Sequence, residues 1–514
     1  MKKILMMAIV AMFTIGSAFA QRIGCVHTSV EQDSAYSHAA KQVNPRKSRA
    51  NTFVFDNEKI YRQPVVLVEF KDKKFSMRNP LEYYNRIFNE NGYNEGMGKG
   101  CIADYILEQS NEKAHIQFDI YGPVKVDEEA GGRKGIDVGT KLIKEVTRLL
   151  CETETTDFSI YDWDNNGSVN QVIYVLASYS GAVKTGYVYP NSGYFFSMQL
   201  PGGIVTDFTS VSCELSADDS LCGIGTILHE YFHCLGLPDI YPISPATIYS
   251  AVDEWDIMDG GNYTNKGWCP PNLSAMEKMY MGWASPVELT DPTTIEGMKP
   301  VSEGGETYII RNSGNSNEFY LLENRKQEGW DYGCPGNGLL IFHVNFNQSS
   351  WSYNSVNNSN NFYRYDLFHA DGRDFLSWCP QNNIQDTSRW TMENRLRSTY
   401  LSTSPYPYTD PVTMTVNDRL TDDSTPAATL FNENADGKLL MGKAISNIRL
   451  ADDGTISFDF MKYDPAGLSD MIVLSNPTVV GWYDLNGRKL FAEPQQAGIY
   501  ITLFSDGSKK KCSK

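Results

Sequence analysis

Eleven residues constrain this chain more than any others: His229-Glu230-Tyr231-Phe232-His233-Cys234-Leu235-Gly236-Leu237-Pro238-Asp239. Two histidines four apart share one face of a helix, so both imidazoles can reach a single ion. The pattern predicts a helix from Gly223 to His233, with Ile224, Ile227, Leu228, Tyr231 and Leu235 as its core stripe. Gly236 follows His233 by three residues, where a left-handed residue would end the helix and let Asp239 swing back as a third, oxygen ligand. Glu230, beside the first histidine, can hold a water and take its proton instead of binding the ion. Three protein ligands with one open position describe a catalytic zinc; a structural zinc closes its fourth position with thiolate or imidazole. The plain alternative is a pair of core or solvated histidines on an ordinary helix. Against it stands a chance expectation of roughly one HExxH in two hundred chains of this composition. Glu254 competes with Asp239 for the third position.

Downstream, Trp255-Asp256-Ile257-Met258-Asp259-Gly260-Gly261 sets a methionine in a tight glycine-rich turn. Met258 can floor the ligands, or be a core residue before a turn. The zinc motif, this turn and the run Asn272 to Trp283 together resemble the M6 family of peptidases (immune inhibitor A-like), within the metzincin-type zinc proteases. Val65 to Asp72, Asp104 to Ser110, Tyr320 to Arg325 and Pro335 to His343 share the likeness, which spans about 64–460. The resemblance implies that His229, His233 and Asp239 bind zinc, that Glu230 is the general base and that Met258 is the Met-turn residue. An Asp as third ligand departs from the metzincin His, a departure that the M6 pattern shares.

The rest of the chain reads as α+β. Strands are expected at Val65–Phe70, Ile116–Tyr121 and Val169–Ala177, and helices near Leu81–Phe88, Asp104–Ser110 and Gly135–Cys151. This alternation predicts an α/β layer arrangement over 61–285, which the resemblance implies is a metzincin-like catalytic domain. Short alternating runs then predict a β-rich accessory domain at 286–463, with Asn345–Asn361 as a long surface loop. Residues 464–514 read as a small β module with an Asn-Gly turn, resembling the C-terminal sorting domain of type IX secretion cargo.

At the other end, Lys2 and Lys3 precede an apolar run closed by Ala18-Phe19-Ala20, the pattern of a signal peptide over 1–20. Residues 21–60 read as a pro-segment or a flexible extension. No later segment is apolar and long enough to span a bilayer. The net charge of −17 offers phosphates no basic field, which argues against nucleic acid or an anionic membrane as partner. Ten irregularly spaced cysteines make Cys213–Cys222 one candidate disulfide. Cys25 could close the zinc position of a latent form or be an idle or bridged thiol, and Cys234 points away from the ligand face. Asp162, Asp164, Asn166 and Ser168, with Gly167, match the start of a calcium loop or a plain Asx turn. Tyr263 is an oxyanion donor or a structural tyrosine; His343 and His369 receive no role.

These observations converge on a secreted or surface-attached endopeptidase, exported through Sec to the periplasm, acting on extracellular proteins or peptides. Two alternatives stand beside it: an adhesive protein on a degenerate protease fold, and a zinc hydrolase of non-peptide amides.

Overall fold

Val65-Val66-Leu67-Val68 and Val172–Ala177 are apolar without alternation because both faces of their strands are covered. Val65, Leu67, Ile173 and Val175 point into one core, and Val66, Val68, Tyr174 and Leu176 into another. The computed structural model describes residues 52–132, 137–243, 250–358, 363–373, 400–463, 479–484, 488–490, 492–496, 498–504 and 509–513. The signal peptide, Cys25 and the pro-segment up to residue 51 lie outside the described residues.

The first sheet has the order β2-β1-β3-β5-β4. Its strands are β1 (Ile60–Glu69), β2 (His115–Lys125), β3 (Val172–Tyr179), β4 (Asn191–Gln199) and β5 (Val205–Leu215). Pairing is parallel except at β4, which runs antiparallel along the edge. Helices α1 (Pro80–Asn89), α2 (Ile102–Gln109) and α4 (Gly225–Leu235) cover one face, and α3 (Asp137–Thr153) covers the other through Leu142, Ile143, Val146 and Leu150. Every element expected up to Ala177 is present. Strands β4 and β5 were not anticipated, because β5 buries Thr206, Thr209, Ser210, Ser212 and Glu214 where apolar residues would have announced it.

After α5 (Ala275–Tyr280) the chain is mostly β, as its short alternating runs suggest. Strands β6 (Val287–Glu288), β8 (Tyr308–Arg311), β9 (Glu318–Arg325), β10 (Gly338–Asn345) and β11 (Tyr365–Leu367) form a sheet ordered β11-β10-β9-β8-β6. Strands β7 (Thr293–Met298), β14 (Ile445–Leu450) and β15 (Ile456–Phe460) form a second, while β12 (Tyr408–Thr409) and β13 (Val416–Asn417) make a short hairpin. The larger sheet is two-faced. Tyr320, Leu322, Leu339 and Ile341 pack with Phe458 and Ile445, whereas Phe319, Leu321, Leu340 and Phe342 share one core with Tyr231, Trp255 and Met258. Residues on either side of position 285 therefore share a hydrophobic interior, and the described chain up to Met461 is one compact unit.

The described part of the Asn-rich stretch, residues 345–358, is no surface loop. It folds into α6 (Gln348–Ser352) and a turn that bury Trp351, Asn354, Val356 and Asn357. The residues from Lys462 form a second unit, a four-stranded antiparallel sheet ordered β17-β16-β18-β19. Its strands are β16 (Val479–Tyr483), β17 (Lys489–Leu490), β18 (Ile499–Phe504) and β19 (Lys509–Ser513). The last strand, carrying the lysine run, was not foreseen, and the Asn-Gly turn lies outside the described residues. Among the described residues no helix is long and apolar enough to cross a membrane.

A buried charge cluster clips the β-rich part to the segment before α5. Arg325 on β9 donates to Glu323 at 2.7 Å, to Asp331 at 2.8 Å and to the Asn272 carbonyl at 3.1 Å, while Glu323 accepts from the Ala275 N–H at 2.8 Å. Removing the guanidinium strands two buried carboxylates, so Arg325→Ala is expected to cost about 3–5 kcal/mol of stability in chemical denaturation.

Candidate metal centre

Helix α4 is buried on all sides, so its sequence lacks the polar face of a surface helix. Its first turn packs backbone to backbone against the short 3-10 segment Gly261–Gly267: the Ile224 N–H donates to the Gly267 carbonyl at 2.9 Å. Gly225 permits this approach, since a Cβ there would lie 2.1 Å from the Asn262 carbonyl oxygen. The helix ends as expected at Gly236, left-handed at φ 115°, with its N–H on the Phe232 and His233 carbonyls.

That stop turns the chain back to Asp239. His229 Nε2 and His233 Nε2 lie 3.3 Å apart, and each is 3.4 Å from Asp239 Oδ1. Each Nδ1–H donates to a backbone carbonyl, His229 to Ile257 at 2.7 Å and His233 to Leu237 at 2.6 Å. Both Nε2 lone pairs are thereby left facing the same point as the carboxylate oxygen. All three side chains are buried, where converging lone pairs repel unless a cation lies among them. A tetrahedral ion bound at about 2.0–2.1 Å by N and O ligands has edges of about 3.3–3.4 Å, so the triangle fits such a metal. Among the described residues this is the group of His, Cys, Asp and Glu side chains close enough to hold a metal. Glu254, partly buried beside it in sequence, is not a member.

Glu230 is buried one residue beyond His229 on the same helix. Cys234 turns its thiol back to the Glu230 carbonyl at 3.7 Å. Met258 is buried in the tight turn that also supplies the Ile257 carbonyl, and its own carbonyl accepts from the Ile240 N–H at 2.9 Å. Tyr263 is half-buried in the 3-10 segment that follows. The sequence reading missed two contributors. Tyr241 stacks on His229 with ring centroids 6.3 Å apart, and the Asn354 carboxamide donates to Asp239 Oδ2 at 2.8 Å. Tyr241 lies two residues past Asp239 and could have been suspected; Asn354 lies 115 residues from its partner, and no local signal points to it.

The remaining candidates lie elsewhere. In the Asp162–Ser168 turn, Asp162 accepts from the Asn166 and Gly167 N–H groups at 3.1 and 2.8 Å. Asp164 accepts from the Asn166 amide at 3.1 Å, and Asn166 from the Ser168 N–H at 2.8 Å. That is the bonding of an Asx-type turn, and we assign no ion to it. Cys213 and Cys222 do not bridge, and Cys213 directs its sulfur to the Val188 carbonyl at 3.5 Å. His343 bonds Glu318 at 2.8 Å, and His369 bonds Tyr400 and Ser404, both at 2.9 Å.

Beneath the Met258 turn, Asp256 accepts from the Met258 N–H at 2.8 Å and lies against the Glu277 carboxyl. Burial, then the neighbouring Glu277, pushes the Asp256 carboxyl well above the usual range, and burial pushes Glu277 up to about 7. Arg325, Asp331, Glu323, Tyr105 and Tyr365 surround this pair.

With this geometry in view, comparison with known proteins is informative. Residues 203–284 match the catalytic domain of the immune inhibitor A peptidase M6 family. The pre-pro-metalloprotease PrtV of Vibrio cholerae, in two strains, is 21% identical over 292 residues, covering 47% of this chain. The chain spans about a third, 32%, of the length of these relatives.

Gly225 and Glu277 each give an expected outcome. Gly225→Ala forces a carbon onto the Asn262 carbonyl and is expected to cost about 1–3 kcal/mol in chemical denaturation. The buried Asp256–Glu277 pair holds its protons to higher pH in the folded than in the unfolded protein, so its contribution to stability is full in acid and fades as pH rises toward neutrality. Denaturation of Glu277→Gln across that window should show the variant gaining on the parent as pH rises.

Proposed function

We propose that this chain is a zinc-dependent endopeptidase in which His229, His233 and Asp239 hold the metal and Glu230 is the general base. One observation carries the reading: two imidazole nitrogens and a carboxylate oxygen meet at 3.3–3.4 Å, with a glutamate beside them on the same buried helix. The M6 catalytic-domain match over this segment supports it, as does a sheet whose one antiparallel strand, β4, lies at the edge and packs with β5 against α4.

Zinc, when bound, supplies a Lewis acid for the scissile carbonyl and for the attacking water. The protein's own groups supply the positioning and the proton traffic. His229 and His233 hold their tautomers through the Ile257 and Leu237 carbonyls. Glu230 accepts the proton of the attacking water on its carboxylate and delivers it to the departing amine. Strand β4 pairs with β5 alone among the described residues, so its outer edge can hydrogen-bond an extended substrate backbone and hold it still above α4. Met258 packs under the ligands as their apolar floor. The export signal read in residues 1–20 argues for extracellular proteins as substrates, with the C-terminal sheet as the module read by a type IX secretion system.

A casein-digestion assay on the mature protein tests this. Glu230→Gln is expected to cut turnover by about 10²–10⁴-fold while retaining its zinc, and a chelator should silence the parent. Equal turnover by parent and variant would overturn the assignment of the base. A parent that holds zinc yet cleaves no protein would instead favour an adhesive protein on a protease fold.

A further inference from the structure

Helix α6 ends in a way that decides the conformation of Asn354. Trp351 anchors it in the core at 1% exposure, and the Ser355 N–H reaches back to the Ser350 carbonyl at 2.8 Å. Asn354 thereby takes the left-handed position after the helix, φ 54°, where Asn and Gly are the residues tolerated best. Conformation explains the choice of an Asn-like residue, but not where its side chain goes. The carboxamide is fully buried and makes two contacts with one residue: its Nδ2–H donates to Asp239 Oδ2 at 2.8 Å, and its Oδ1 accepts the Asp239 N–H. The same loop continues alongside the ligand segment, with Asn357 donating to the Ile240 carbonyl at 3.0 Å and Asn358 accepting the Ile243 N–H at 2.9 Å.

We propose that Asn354 is a positioning residue of the metal centre, supplied by the β-rich part of the chain, which turns Asp239 into a single-oxygen ligand. This rests on Asp239 being a ligand. Asp239 offers one donor, its N–H, and one acceptor, Oδ2, to the side away from the histidines. A carboxamide answers both at neutral pH, because it carries a donor and an acceptor side by side on one short planar group. With Oδ2 held by Asn354, only Oδ1 is presented to His229 Nε2 and His233 Nε2, at equal distances of 3.4 Å. A freely rotating carboxylate would instead offer either oxygen, or both, and would lose rotational freedom on binding the ion. Partners of this kind are commonly worth 10–100-fold in metal affinity.

The test uses the full-length mature protein loaded with Zn²⁺ or Co²⁺, with affinity read by chelator competition and coordination read from the visible absorption of the Co²⁺ form. Asn354→Asp keeps the size, the left-handed backbone and the acceptor, but replaces the donor with a second negative charge. Asn354→Gly keeps the backbone and deletes the group. Both are expected to weaken Zn²⁺ binding about 10–100-fold and to change the Co²⁺ spectrum. Asn358→Ala, which loosens the same loop without touching Asp239, should match the parent in both readouts. Parent-like affinity and spectrum in Asn354→Asp would overturn the proposal, and so would an equal loss in Asn358→Ala. Asp239→Ala keeps the two failures apart: if it retains parent-like metal and spectrum, the ligand assignment itself has failed, whatever Asn354 does.

Discussion

Three electron-rich atoms held 3.3–3.4 Å apart in a buried site are the constraint on which the rest of this structure depends. Two imidazole lone pairs and a carboxylate oxygen do not gather spontaneously, because at low dielectric each repels the others. The fold has to impose the arrangement, and a cation placed among the three atoms would relieve it. It does so from several directions: the helical repeat sets the histidines one turn apart, carbonyls from two different turns orient their rings, and the left-handed stop at Gly236 returns the chain to Asp239. None of these devices is costly alone, and together they leave the side chains little freedom to spread.

The same requirement explains why the β-rich part is built into the first α/β layer. Strands β9 and β10 place every second residue in the core that also holds Tyr231 and Met258, so the turn whose Ile257 carbonyl bonds His229 rests on that sheet. Arg325 and its carboxylate partners tie β9 to the segment before α5. Asn354 reaches Asp239 from the same side. A sheet that supplies packing, charge and a hydrogen bond to one small site is part of its construction.

Much of this was legible in the sequence, for physical reasons. Strands β1 and β3 are covered on both faces and so consist of unbroken apolar runs; α3 is covered on one face and so repeats with the helical period. Strand β5 was missed because it buries hydroxyls and a carboxylate, and burial of polar groups leaves no hydrophobic signature. The Asn-rich stretch misled for the converse reason. Its polar residues suggested exposure, yet Asn354 and Asn357 are buried because their carboxamides satisfy backbone and side-chain groups of the ligand segment. Cys213 and Cys222 were close enough in sequence to suggest a bridge, but the thiol of Cys213 is directed to the Val188 carbonyl instead.

By itself, the sequence determined what is local: the helical spacing of His229 and His233, the glutamate beside them, the glycine that stops the helix, and the run of residues from there to Asp239. These follow from a repeat of 3.6 residues and from the one residue type at ease with positive φ. Only the tertiary structure decided what is distant. It chose Asp239 over Glu254 as the oxygen that joins the histidines, brought the Ile257 carbonyl under His229, and carried Asn354 across 115 residues to Asp239. Such contacts depend on how sheets and helices pack, and packing is a property of the whole chain that no short window of residues contains.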